Sequence, residues 1–172
     1  MRASLTRKFH VPIIFGILMS TVALGQQKPA HPSASTLCTF ADGKELSVRY
    51  EPEPFDKKQL PEGKVWQPGG TPTLLFTQAA LTAGTSEIPA GAYSLYFIPA
   101  KKEWTLIVNK NVTAGSEYNE QQDIVRIPME VGKLPSGADN LKIVFAHMAP
   151  QQCNMRLYRG KIGVWMEFKE KP

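Results

Sequence analysis

Apolar and polar residues alternate one by one through much of this chain, and a period of two predicts strands. Leu46, Val48 and Tyr50 alternate with Ser47, Arg49 and Glu51. Tyr93, Leu95 and Phe97 alternate with Ser94, Tyr96 and Ile98. Trp104, Leu106 and Val108 alternate with Thr105, Ile107 and Asn109. Pro99-Ala100-Lys101-Lys102-Glu103 lies between the last two runs as a polar turn, so Gly91 to Lys110 reads as a hairpin. Both of its faces are apolar near Tyr96, Ile98 and Ile107. A hairpin with one face in water does not require that; a central pair in a packed sandwich does.

The pattern continues on both sides. Thr73 to Gln78 is a short apolar strand, and Ala79 to Thr85 a brief strand or a turn. Asp123 to Val131 is a strand in which Pro128 marks an edge or a bulge. Leu141, Ile143 and Phe145 predict another, as do Cys153, Met155 and Leu157, and finally Ile162, Val164, Met166 and Phe168. Met148 to Gln152 and Arg159-Gly160-Lys161 read as turns, and Lys133 to Asn140 as a loop. Asn111 to Gln122 is a polar loop with room for one helical turn. Glu51 to Pro72 is rich in proline and glycine, which suits a long loop or edge excursion, anchored by Val65 and Trp66. No run has the period of a helix, and no segment repeats. The predicted class is all-β: an antiparallel β-sandwich of eight or nine short strands, with a jelly roll or small barrel as alternatives.

The N-terminus departs from this pattern. Arg2, Arg7 and Lys8 precede an apolar run from Val11 to Leu24, and Ala23-Leu24-Gly25 offers small residues to a signal peptidase. Residues 1–25 therefore read as a secretory signal peptide. The run is shorter than the roughly 20 apolar residues of a spanning helix, so no membrane span is expected after cleavage. Gln26 stands where a lipoprotein would need cysteine. Residues 26–37 read as a flexible leader and 38–172 as a single domain, long enough for a real core. The implied location is periplasmic or secreted. Of the 20 basic residues that give the chain its net charge of +5, three leave with the signal, and the rest form no cluster. That removes support for a nucleic-acid partner.

The two cysteines, Cys38 and Cys153, both lie in the exported part. An even count in an oxidising compartment favours a disulfide, with two buried thiols or a reactive pair as alternatives.

Four stretches carry a resemblance: CTFADGKELSVRY at 38–50, GKVW at 63–66, IPAGAYSLYFIPAKKEWTLIVNK at 88–110 and CNMRLYRGKIGVWMEF at 153–168. They resemble the bacterial exported domain-of-unknown-function family 2911 over nearly the whole exported domain. The resemblance implies a shared scaffold and a cysteine pair, one before the first strand and one near the end. It implies no particular reaction. Members of that family follow GKVW with Arg, then Gly, then an Asn-Glu pair, a polar cluster on a loop where a ligand is expected. This chain has Gln67, Gly69, Thr71 and Pro72 at those places. The departure implies a lost or altered function.

Catalytic machinery is sparse. His31 falls in the leader, and His147 with Cys153 is too small a set for zinc. There is no G-x-S-x-G elbow, H-E-x-x-H helix or phosphate-cradling glycine loop. Glu51 with Glu53, and Glu117 and Glu120 with Asp123, read as solvated acids and lack the spacing of a calcium loop. No metal or cofactor is expected. Among the tryptophans, Trp104 is expected in the core, Trp165 on the opposite parity of its strand, and Trp66 facing a ligand. The expected function is non-catalytic binding of a small molecule, glycan or protein, with Trp66, Gln67 and Thr71 as the binding residues. An envelope component without a ligand is the second reading. A hydrolase assembled from distant strands is the third, and it requires polar residues clustered around His147 or Arg126.

Overall fold

The hairpin predicted from its alternation forms as β6 (Gly91–Ile98) and β7 (Glu103–Asn109), with Tyr96 opposite Ile107 and Phe97 opposite Leu106. The computed structural model describes residues 33–56 and 60–171. The signal segment, His31 and the first residues of the leader lie outside the described residues. The other strands are β1 (Ala34–Thr39), β2 (Glu45–Tyr50), β3 (Thr73–Thr77), β4 (Leu81–Ala83), β5 (Ser86–Ile88), β8 (Asp123–Ala149) and β9 (Gln152–Glu170). All pairings are antiparallel, in one sheet of nine strands ordered β1-β2-β3-β6-β7-β8-β9-β4-β5. The sheet does not close, which sets aside the small barrel.

An open sheet of nine strands must cover its apolar face, and this one folds over itself to do so. The side chain of Thr36 on β1 accepts the amide of Phe145 on β8 at 3.1 Å, although β1 and β8 stand far apart in the sheet order. The inward residues form one core, including Leu46, Val48, Leu75, Leu95, Phe97, Trp104, Leu106, Met129, Ile143, Met155, Leu157 and Phe168. Most are fully buried, so the fold is sandwich-like.

Two of the strands are long, against the expectation of short ones throughout. The loop expected at Lys133 to Asn140 and the turn expected at Arg159 to Lys161 both lie inside strands, β8 and β9. The reason is that the two irregular segments face each other: Ala138 pairs with Gly160, and the register shifts on either side. Each strand bends where its partner bends, so backbone pairing survives without side-chain alternation. Gly160 has φ +55, a conformation that favours glycine, and a Cβ there would lie 2.6 Å from the Phe55 ring. β1 is a further difference, since it begins at Ala34, inside the segment read as leader. Pro128 lies where β8 has β7 as its ladder partner and has not yet met β9, whose pairing starts at Glu130.

β6 and β7 are central and buried on both faces. Tyr96 and Ile107 point away from the main core yet are 2% and 0% exposed. The segment 110–122 lies over them, with the Tyr118 ring edge-on to Tyr96 at 4.9 Å. It includes the single helical turn, at Glu120–Gln122, capped by Asn119.

Cys38 and Cys153 are bonded, both buried, 115 residues apart in sequence. In the chain-entropy account, a loop of that length confers up to about 5 kcal/mol. Reduction, or the Cys38→Ala/Cys153→Ala pair, should lower the unfolding free energy obtained from urea denaturation by an amount approaching that value; an unchanged free energy would show that the crosslink contributes nothing. Among the described residues, one sealed side-chain polar atom lacks a partner, Thr73 Oγ1 on the inward face of β3. A buried hydroxyl without a partner costs about 1–3 kcal/mol. Thr73→Val, nearly the same shape, should therefore raise stability by about 1 kcal/mol or more, and a loss would contradict the unpartnered state.

Candidate ligand-binding clefts

Where β2 ends, Glu51-Pro52-Glu53-Pro54 cannot continue an ordinary ladder, because each proline lacks an amide donor. The chain crosses instead to the bent part of β8. Leu141 N donates to Glu53 O and Phe55 N to Asp139 O, each at 2.7 Å, with Pro54 opposite Asn140. The return leg brings Trp66 to β6: Trp66 N donates to Phe97 O at 2.7 Å and Phe97 N to Trp66 O at 2.9 Å. β3 ends at Thr73, opposite Leu95, so Trp66 takes the edge of β6 that β3 leaves open. Its indole lies 5.9 Å from Trp104, edge-on, and 6.2 Å from Phe97.

Gln67 then leads into a tight turn at Pro68–Gly70, where Gly69 has φ 74. A Cβ on Gly69 would lie 2.9 Å from the Cβ of Glu51, so the turn can press this closely only as glycine. Two hydrogen bonds fix it: Gly69 N donates to Glu53 Oε2 at 3.0 Å, and Thr71 Oγ1 to Glu51 Oε2 at 2.9 Å. The result is a cleft of about 290 Å³ lined by Trp66, Gln67, Glu51, Glu53 and the Gly69-Gly70 backbone. Of the three residues expected to bind a ligand, Trp66 and Gln67 line this cleft. Thr71 is not among its lining residues and holds Glu51 in place. Glu51 and Glu53 are structural partners of the turn rather than the simply solvated acids expected from sequence.

Sequence reasoning missed the charged residue beside this cleft. Arg159 is 6% exposed. Its guanidinium lies 5.3 Å from the Phe55 ring centre and 5.8 Å from that of Trp66, and it pairs with Asp56 at 2.9 Å. The signal was present in the parity of β9: Cys153, Met155 and Leu157 face inward, and Arg159 follows in the same phase. The glycine after it suggested a turn and masked that phase.

The other cluster considered from sequence forms around Arg126. Arg126 donates to Tyr118 Oη at 2.8 Å, Glu120 Oε1 at 2.7 Å and Asp123 Oδ2 at 2.9 Å. Tyr118 in turn donates to Asp123 Oδ2 at 2.6 Å, and Asn109 Nδ2 reaches Asp123 Oδ1 at 2.7 Å. Burial, followed by the hydrogen bond to Asp123, pushes the Tyr118 phenol up to about 12. A phenol held so firmly protonated is a poor base at neutral pH. The network fastens segment 110–122 over Tyr96 and Ile107. His147 is not part of it, sitting exposed opposite Cys153. Trp165 is half-buried across Gly132, and its Nε1 donates to Glu130 at 2.9 Å. Among the described residues, no three His, Cys, Asp or Glu side chains gather as a metal-ligand set, and no helix is long and apolar enough to cross a membrane.

The sequence pattern of DUF2911, described as a protein of unknown function, matches residues 33–168. No curated protein and no solved structure matches the chain.

The Arg126 network sets the ionisation of Tyr118. In the Asp123→Asn variant, NMR titration of the ring carbons should give a Tyr118 midpoint below about 12 yet above the ordinary 10.0, because burial, the larger cause, persists. A folded value above the unfolded one means that stability linked to this phenol is complete below about pH 10 and is lost as pH rises toward 12. A Tyr118 midpoint of 10 in the unmodified protein would contradict the network.

Proposed function

We propose, on the premise that this chain belongs to the DUF2911 family of proteins of unknown function, that it is an exported, non-catalytic binding protein. Its ligand is a small hydroxyl-rich molecule of monosaccharide size, held in the Trp66 cleft. The observation that carries this reading is the make-up of that cleft: an indole, a primary amide and two carboxylates around about 290 Å³. An indole covers the apolar face of a sugar ring, while carboxylate and amide oxygens accept from its hydroxyls. Among the described residues, the Glu53 carboxylate accepts one hydrogen bond, at Oε2 from Gly69 N, which leaves Oε1 to take a ligand hydroxyl. Both carboxylates are anchored by their own turn, which favours pre-organised binding. The cleft lining contains no histidine, cysteine or serine, and its two carboxylates are each engaged by the turn. By resemblance, Gln67, which lines the cleft, and Thr71, which braces it through Glu51, stand where other members are expected to carry Arg and Asn. The cleft is therefore where this chain's specificity would differ from its relatives.

Export rests on two features. The Cys38–Cys153 bond fits an oxidising, non-cytoplasmic compartment, and residues 1–25 have the pattern of a cleavable signal. A periplasmic or secreted protein satisfies both.

The test is a titration of the disulfide-intact protein with a panel of neutral monosaccharides, followed by amide NMR shifts and tryptophan fluorescence. At least one sugar should give saturable shifts confined to 51–54 and 66–71. Trp66→Ala should weaken it about tenfold or more, and Glu53→Gln several-fold, in line with about 1–2 kcal/mol per lost contact. A panel that moves nothing in those segments would refute the proposal.

A further inference from the structure

Arg159 lines a second cavity that shares no lining residue with the Trp66 cleft, so the proposed sugar site does not use it. It measures about 550 Å³ and is walled by Phe55, Ala138, Ile162 and the backbone of Gly137 and Gly160, with Arg159 in its lining. Lys161 and Asp139, both exposed, also line it.

The state of Arg159 points to its purpose. Burying a guanidinium is costly unless its donors are satisfied. This one is 6% exposed, yet among the described residues its side chain makes one hydrogen bond, from Nη2 to Asp56 Oδ1 at 2.9 Å. A guanidinium carries five N–H donors. Phe55 and Trp66, at 5.3 and 5.8 Å, lie against the guanidinium as ring partners and accept no conventional hydrogen bond. The remaining donors are not sealed away, for among the described residues the one sealed side-chain polar atom without a partner is Thr73 Oγ1. Arg159 lines the cavity, so a ligand seated there comes within reach of this side chain.

We infer that this cavity binds a small monocarboxylate with an apolar alkyl or aryl body. A carboxylate matches the fork of the guanidinium with two parallel hydrogen bonds. The apolar body would cover Phe55, Ala138 and Ile162. The charges around the cavity limit the ligand to one negative group. Arg159 and Lys161 attract it, while Asp56 already takes part of the Arg159 charge and Asp139 repels a second carboxylate. The mode resembles many small-ligand sites, an apolar pocket with one placed charge. It is independent of the sugar reading, since it draws on Arg159 and a different cavity.

The experiment uses the disulfide-intact protein and two probes of nearly equal shape, sodium hexanoate and 1-hexanol, followed by amide NMR. Hexanoate should cause saturable shifts at Gly137, Ala138, Gly160 and Ile162, while 1-hexanol binds about tenfold more weakly or worse, for want of the charge-assisted pair. Arg159→Lys keeps the charge but loses the fork and should weaken hexanoate about tenfold; Lys161→Glu, at an exposed position, should weaken it several-fold and leaves Arg159 itself unchanged. The inference is overturned if hexanoate gives no saturable shift at those amides, or if 1-hexanol binds as well as hexanoate. The comparison of the two probes is made on the unmodified protein, so it decides the matter even if Arg159→Lys fails to fold. A sugar that shifts 51–54 and 66–71 while hexanoate moves nothing would refute this inference alone, and the converse would refute the sugar site alone.

Discussion

Gly160 is the point on which the architecture turns. At φ +55 it adopts a conformation that other residues reach only with strain, and the Phe55 ring fills the place of its missing Cβ. Three features follow from that contact. β9 bends there, and β8 bends opposite it at Ala138, so the long hairpin keeps its pairing. The bend helps the far half of β8 to reach β1, where Thr36 meets Phe145. Phe55, once docked, supplies an aromatic surface for the guanidinium of the preceding residue, Arg159. A side chain at position 160 would disturb the docking of Phe55 and strain the bend, because both depend on the glycine there.

The central strands impose a second requirement. β6 and β7 carry apolar residues on both faces, so a single core cannot cover them. The outer face needs its own cover, and segment 110–122 provides it through Tyr118. Of the ion pairs around Arg126, the one with Glu120 is solvent-exposed and weak, while the Asp123 side chain is only 11% exposed. Burial of Tyr96 and Ile107 is the larger stabilising term, and the polar network determines which conformation of the segment achieves it. Asn109, fully buried at the end of β7, connects the two by donating to both Asn119 O and Asp123 Oδ1.

Much of this was readable in advance where side chains report on burial. β2, β6, β7 and most of β9 announce themselves by alternation, because one face of each meets the core, and β3 by a short apolar run. The two-sided apolar character of Tyr96 and Ile107 gave away the central pair. The middle of β8 was not readable. Ser136 to Asn140 is held by backbone bonds to β9 and to residues 53–55, and backbone pairing leaves no mark on side-chain choice. β1, small and polar at its start, was hidden for the same reason. At the clefts, Trp66 and Gln67 could be picked out from a loop that interrupts the strand pattern. Their acidic neighbours could not, since Glu51 and Glu53 reach the turn only after two prolines redirect the chain. Arg159 was concealed by the glycine that makes its position possible.

The two ends of the molecule contrast in a way that bears on where binding belongs. At the disulfide end, polar groups are matched. Ala41 N donates to Pro150 O and Glu170 N to Gln151 O, which ties the last residues of β9 to the β8–β9 turn. Lys44 bridges Asp42 and the buried Glu170, and Cys38 is bonded to Cys153. The charges there are spent on closing the fold. At the Gly160 end, the same kinds of groups are arranged with capacity left over. Among the described residues, a buried guanidinium uses one donor, the Glu53 carboxylate uses one oxygen, and an indole stands half-exposed nearby. Unspent hydrogen-bonding capacity beside an apolar wall is costly to maintain in water-poor surroundings, and a bound ligand would repay it. The bend at Gly160 concentrates that capacity at one end of an otherwise regular sheet.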